Sequence, residues 1–253
     1  VSEILPGLTV GYQTSDTTFV FAGLHRGFAP PGPGSSTKDN ESSWNYEVGA
    51  RFIDGDGYIE GIGFFTDYSN ILGSCTASSG GNCNIGDTFS GSGVHVYGLE
   101  ATAGMDLGAR SGASISIPVD ISYTLTSAKF QSSFQSGYGP WGTVLKGDRL
   151  PYVPSSQLAL SLGLVDEKWS IRGVLSHVAN TRSKAGQGTI AENQKIDSRT
   201  VVDLAGTLAI NEFAEALLRI ENLLDDSYSV ARRPAGLRPG KPFTVKAGIR
   251  LAL

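Results

Sequence analysis

The sequence predicts an all-β fold, an antiparallel transmembrane β-barrel wall of about eleven strands. Three observations predict it. Apolar and polar residues alternate with a period of two over segments of about ten residues, the length a tilted strand needs to cross a bilayer. Short turns and long loops alternate strictly along the chain, as periplasmic turns and extracellular loops do in outer-membrane barrels. Charged residues fall mid-strand on the polar face, where such a barrel has its lumen.

The elements follow in order. Segments 7–14 and 18–27 form a first pair across Ser15-Asp16. Trp44, Tyr46, Val48, Ala50 and Phe52 then alternate with Asn45, Glu47, Gly49 and Arg51. The turn Asp54-Gly55-Asp56-Gly57 carries the Asp/Gly chemistry of a tight hairpin. In 58–69 the faces stay open, because Phe64 and Phe65 lie on opposite sides. Tyr97, Leu99, Ala101, Ala103, Met105 and Leu107 form the next apolar row. After a turn at 108–113, Ile115, Ile117, Val119, Ile121, Tyr123 and Leu125 form another. Leu158, Leu160, Leu162 and Leu164 precede the turn 166–168, and 169–179 returns. Val202, Leu204, Gly206, Leu208 and Ile210 lead through 211–214 into 215–223. The last strand has Phe243, Val245, Ala247, Ile249, Leu251 and Leu253 on one face.

The long connections are 28–43, 70–93, 131–154, 181–196 and 224–241, rich in Pro, Ser, Gly and charge. The polar face carries Glu47, Arg51, Glu100, Asp106, Asp120, Arg172, Asp203, Arg219, Glu221, Lys246 and Arg250. Trp44, Tyr46, Tyr97, Tyr123, Tyr152 and Trp169 lie where an interfacial girdle of aromatic rings is expected. Given the long loops on the outside, the C-terminus lies in the periplasm.

Of 253 residues 17% are charged, and the net charge is −4, which gives no support to a nucleic-acid partner. No apolar run approaches the roughly 18 residues of a membrane helix, a test that alternating strands evade. Cys75 and Cys83 fit a local disulfide in an oxidising compartment, with two unpaired thiols as the alternative. Val1-Ser-Glu-Ile-Leu-Pro-Gly7 reads as the interior of a longer chain, so residues 1–253 are expected to be a fragment.

Three segments resemble the C-terminal signature of TonB-dependent outer-membrane receptors. They are Asn222-Leu-Leu-Asp-Asp-Ser-Tyr228, Gly236-Leu-Arg-Pro-Gly240 and the terminal strand. Leu224 stands where that family usually has Phe, and Leu253 where it usually ends in an aromatic. Val20-Phe-Ala-Gly-Leu-His-Arg-Gly-Phe28, Trp44-Asn-Tyr-Glu-Val-Gly-Ala-Arg-Phe52 and Gly63-Phe-Phe-Thr-Asp-Tyr-Ser-Asn70 are similar to barrel strands of the same family, with ferric-citrate-type receptors the suggested subgroup. The resemblance implies about 22 strands and a plugged lumen in the whole protein. This chain would supply about eleven of those strands, the C-terminal portion of the wall without plug or energy-coupling segment.

The resemblance implies active transport of a ferric siderophore, energised through TonB by an N-terminal region outside this sequence. It implies no enzyme activity, and no cofactor or metal site of the chain's own. His25, His95 and His177 are too dispersed for a shared metal, and the glycine stretches lack the context of a phosphate loop. An anionic chelate needs arginine forks and aromatic contact. The candidates are His25, Arg26, Trp141, Arg149, Tyr152, Arg232, Arg233 and Arg238. Lys246, Gly248, Leu251 and Leu253 resemble the signal read by the barrel assembly machinery, and outer-membrane lipid and lipopolysaccharide are further expected partners. Rival readings are a passive porin or adhesin-type barrel, and a soluble all-β carbohydrate-binding module.

Overall fold

A computed structural model describes residues 3–32, 39–79, 83–233 and 236–252. Eleven strands make one sheet: β1 (Gly7–Gln13), β2 (Thr18–Ala29), β3 (Glu41–Asp54), β4 (Gly57–Asn70), β5 (Val94–Asp106), β6 (Pro118–Phe130), β7 (Ser156–Val165), β8 (Trp169–Val178), β9 (Arg199–Asn211), β10 (Ala214–Glu221) and β11 (Thr244–Leu251). Spatial order is chain order and every neighbouring pair is antiparallel. Such a meander puts successive connections at opposite ends. The five short turns therefore share one end and the five long loops the other. Among the described residues β1 and β11 do not pair, so the sheet is an open wall with two edges.

The register makes one face continuously apolar. Thr18, Phe52, Ile59, Ala103, Ile121, Leu160, Leu175 and Val202 lie opposite one another from β2 to β9. One step along, Leu204, Ile220 and Val245 continue the face to β11. Most of its large side chains are exposed, Leu162, Leu208, Ile249 and Leu251 among them. A face this wide and this apolar is stable only against an apolar medium. The register also settles β4: Phe65 opposes Tyr46 and Tyr97 on the apolar face, and Phe64 points the other way.

The opposite face carries the charge. Arg51 pairs with Glu60, Arg172 with Asp120 at 3.6 Å, and Arg250 with Glu215 at 2.8 Å. Glu221 meets Lys246 at 2.8 Å, Lys241 at 3.1 Å and Arg219 at 3.5 Å. The loops identify this face as the interior. Val94 and Phe130, on the same side as Glu100 and Asp120, are buried beneath Trp141 and Val144 of the 131–155 loop. Tyr68, Ile71, Phe89 and Tyr138 pack around them. Burying side chains of this size contributes about 1.5–3 kcal/mol each. The densest packing thus lies at the long-loop end.

Three expectations are corrected. Asp106 is not a mid-strand lumen charge; it ends β5 and caps a five-residue helix, Leu107–Ser111, where a plain turn was expected. Its Oδ1 accepts from the amides of Gly108, Ala109 and Ile117, and its Oδ2 from the Ser116 hydroxyl. Gly112, at φ 73°, closes the helix. Because Asp106 holds Ser116 and Ile117, Ile115 and Ile117 stay out of the ladder and β6 begins at Pro118. Finally, Tyr152 belongs to no interfacial girdle. It sits in a loop at φ 61°, its amide donating to the Arg182 carbonyl at 2.8 Å. Leu253 lies outside the described residues.

Candidate functional site

Among the described residues four of the long loops carry small hairpins: Leu72–Ser74 with Thr88–Ser90, Phe134–Gln135 with Thr143–Val144, Thr181–Arg182 with Lys195–Ile196, and Ser229–Ala231 with Arg238–Pro239. Cys75 and Cys83 are disulfide-bonded in the first.

Three of these loops line an open cavity of about 460 Å³. The 71–93 loop contributes Leu72 and Ser79, the 131–155 loop Tyr138, Trp141 and Tyr152, and the last loop Arg233 and Arg238. Trp141 is only 5% exposed, so most of it is core and one edge is wall. The Tyr138 and Phe134 rings stand edge-on to it, at 5.0 and 5.8 Å. Arg233 ties the three loops together. Its Nη1 donates to the Ser79 carbonyl at 2.8 Å and its Nη2 to the Gly139 carbonyl at 2.9 Å. Its Nε is buried with no hydrogen-bond partner among the described residues. Neither carbonyl carries a full charge, so the guanidinium keeps its attraction for an anion.

Four of the eight candidate residues, Trp141, Tyr152, Arg233 and Arg238, therefore come together, and four do not. His25 lies on the interior face of β2, 3.0 Å from the Thr9 hydroxyl and 3.8 Å from Glu47. Arg26 lies on the exterior, 3.3 Å from Glu3, with its guanidinium 5.9 Å from the Trp44 ring centre. Arg149 opposes Lys129, also on the exterior. The Arg232 Nε donates to the Lys195 carbonyl. Sequence reasoning missed Tyr138 and Ser79. Tyr138, three residues before Trp141 in the same loop, was the available signal; nothing in the sequence marks Ser79.

The segment between β10 and β11 explains its own sequence. Asn222, 1% exposed and at φ 53°, turns the chain out of β10. Its Nδ2 donates to the carbonyls of Asp226 at 2.9 Å and Lys241 at 3.0 Å, and its Oδ1 accepts from the Asp226 amide. Asp225 Oδ1 takes the Phe243 amide. A Cβ on Gly240 would lie 2.0 Å from the Tyr228 ring, so only glycine fits there. Asn222→Ala leaves several buried groups unpaired and should cost about 1–3 kcal/mol, read as a lower urea midpoint of the folded full-length protein.

The family model described as TonB dependent receptor-like, beta-barrel, matches residues 1–223. The chain belongs to this family. It is a family of outer-membrane receptors and transporters. The match ends before the last loop and β11, which the sequence resemblance reaches. Among solved structures the receptor chain is similar to the ferric yersiniabactin uptake receptor FyuA from Yersinia pestis, with TM-score 0.72 and 17% identity over 98% of this chain and 37% of that one. It is similar to the ferric citrate transporter FecA, with TM-score 0.72 and 16% identity over 98% and 38%. It is also similar to the pyoverdine receptor FpvA from Pseudomonas aeruginosa PAO1, with TM-score 0.71 and 16% identity over 98% and 36%. The chain thus spans well under half the length of the structures it matches. Identities this low establish the fold, and equal scores do not single out a ferric-citrate subgroup. No curated protein sequence matches the chain.

Proposed function

We propose that residues 1–253 are the C-terminal portion of an outer-membrane receptor barrel that imports a ferric siderophore or similar iron chelate, energised through TonB. The observation that carries this is the loop cavity, an anion-attracting pocket with aromatic walls at the long-loop end of a barrel wall. Its volume falls in the range of small-molecule sites, roughly 300–1,000 Å³. Arg238 and Arg233 meet carboxylate or catecholate oxygens of the chelate, and the rings of Trp141, Tyr138 and Tyr152 cover its flat faces. Because Arg233 also holds the Ser79 and Gly139 carbonyls, ligand on Arg233 and Arg238 favours this arrangement of the three loops, a shift of population.

The long-loop end then faces outward and the C-terminus lies in the periplasm. TonB acts through an N-terminal region beyond this chain. The barrel assembly machinery reads β11, with Lys246 and Gly248 on its polar face and Leu251 on its apolar face. The test uses the full-length gene in iron-starved cells offered labelled ferric catecholate, hydroxamate and citrate complexes. Uptake of one class, abolished when TonB is deleted, is the expected result. Uptake that persists without TonB identifies a passive pore instead.

A further inference from the structure

The disulfide stands beside the cavity, and nothing in the uptake proposed above uses it. It joins Cys75 to Cys83, eight residues apart. Its base is firmly placed. Beyond the hairpin of Leu72–Ser74 with Thr88–Ser90, the Cys75 amide donates to the Asp87 carbonyl at 2.7 Å and the Gly86 amide to the Cys75 carbonyl at 2.8 Å. Cys75 is 4% exposed. The hairpin in turn lies on the aromatic core of the 131–155 loop. A Cβ on Gly73 would lie 2.8 Å from the Tyr138 ring and 2.9 Å from Trp141, so only glycine lets the hairpin sit against those rings.

The segment that the disulfide closes forms one wall of the cavity, with Thr76, Ser78 and Ser79 lining it. Residues 76–79 make a tight turn. The Ser79 amide donates to the Thr76 carbonyl at 3.0 Å, and the Thr76 amide to the Ser79 hydroxyl oxygen at 2.9 Å. The Ser79 hydroxyl reaches back to the Ser74 carbonyl at 3.3 Å. The Ser79 carbonyl then accepts from Arg233 Nη1 at 2.8 Å, while Nη2 goes to Gly139, next to Tyr138. Two carbonyls from two loops thus fix the plane of the guanidinium. That plane decides where its remaining N–H groups point.

The turn is bonded within residues 74–79, and the disulfide ties its base across to the returning chain. Opening the bridge gives the segment between Cys75 and Cys83 more conformational freedom. The Ser79 carbonyl is then no longer held in front of Arg233.

We propose that Cys75, Cys83 and Ser79 are positioning residues for Arg233. The disulfide-closed turn holds the carbonyl that aims the guanidinium, so affinity for an anionic chelate depends on the bridge being closed. The proposal rests on the reading of this cavity as the uptake site. A dithiol opens the bridge by exchange. Its thiolate attacks one sulfur and the S–S bond breaks. The dithiol then closes into its own disulfide, two electrons and two protons passing to Cys75 and Cys83. Cys83 is only partly buried, which gives the reagent access.

The test is a double-mutant cycle on purified full-length protein, titrated with ferric catecholate, hydroxamate and citrate complexes. Cys75→Ala/Cys83→Ala should raise the dissociation constant of the complex that wild type binds by roughly three- to tenfold, the effect of one displaced hydrogen bond. In an Arg233→Ala background the same change should add less than about twofold, because the group it positions is gone. A bridge that merely stiffens its loop weakens binding equally in both backgrounds, and that result overturns the proposal. Reduction of folded wild-type protein with dithiothreitol should reproduce the loss, and serves where the double variant misfolds. Hydrogen exchange of the ligand-free protein follows the same coupling without any chelate. Opening the bridge should speed exchange at Ser79 and also at Gly142, whose amide donates to the Tyr138 carbonyl in the neighbouring loop. The effect on Gly142 should vanish in Arg233→Ala. Faster exchange confined to residues 75–87 overturns the proposal. Coupled exchange in a wild-type protein that binds none of the three complexes upholds the positioning and overturns the uptake reading.

Discussion

Leu160→Arg is expected to destabilise the folded full-length barrel by about 2–4 kcal/mol, the cost of a cation near the middle of a lipid-facing wall. Leu160 is in the middle of β7, between Ile121 and Leu175 on the apolar face. The adjacent change, Ala159→Arg, places the same charge on the polar interior face, where the Ala159 side chain is exposed in this chain, and should cost clearly less than Leu160→Arg. Urea midpoints of both variants in lipid bilayers measure the difference. Equal losses would contradict the assignment of the two faces. The pair is informative because the residues are neighbours and share strand, depth and partner strands. Only the side of the sheet differs.

Arg233→Ala should raise the dissociation constant of the imported chelate by roughly 10- to 100-fold, the equivalent of about 1.5–3 kcal/mol for lost charge-assisted hydrogen bonds. Two effects add. The guanidinium no longer holds the Ser79 and Gly139 carbonyls, so three loops lose a common tie. The cavity also loses a cation. Arg233→Lys should recover little, because a single ammonium cannot span two carbonyls and a ligand in one plane. Arg232→Ala removes the neighbouring guanidinium, which ties the last loop to Lys195 instead, and should leave the affinity within about threefold. Titration of the purified full-length protein with the chelate that supports uptake reads both variants. Equal effects at the two positions would show that total loop charge, rather than this cavity, governs binding.

The strands were legible because their physics is local. A side chain period of two is written directly in the order of residues, and from Trp44 to Phe52 and from Leu158 to Leu164 it survives without interruption. The long loops were equally visible, since Pro, Gly and Ser interrupt any ladder. The strand ends were less so. Asp106 reads as one more charge on a polar face, and only the three amides it meets make it a cap. Half of the candidate site was legible for the same kind of reason. Arginine and aromatic residues in long loops can be picked out one by one, but which of them converge cannot. Arg232 and Arg233 are adjacent in sequence and serve different loops. Arg149 and Leu150 are adjacent and face opposite sides of the wall.

The sequence by itself determined that this chain is an amphipathic β-wall with all its long loops at one end, because alternation and turn chemistry are properties of neighbouring residues. The tertiary structure decided which residues face one another across that wall. Register and loop folding depend on contacts between residues far apart in the chain, such as Arg233 with Ser79 and Lys129 with Arg149. Those contacts separate the residues that line a cavity at the loop end from residues such as Lys129 and Arg149 that lie on the exterior.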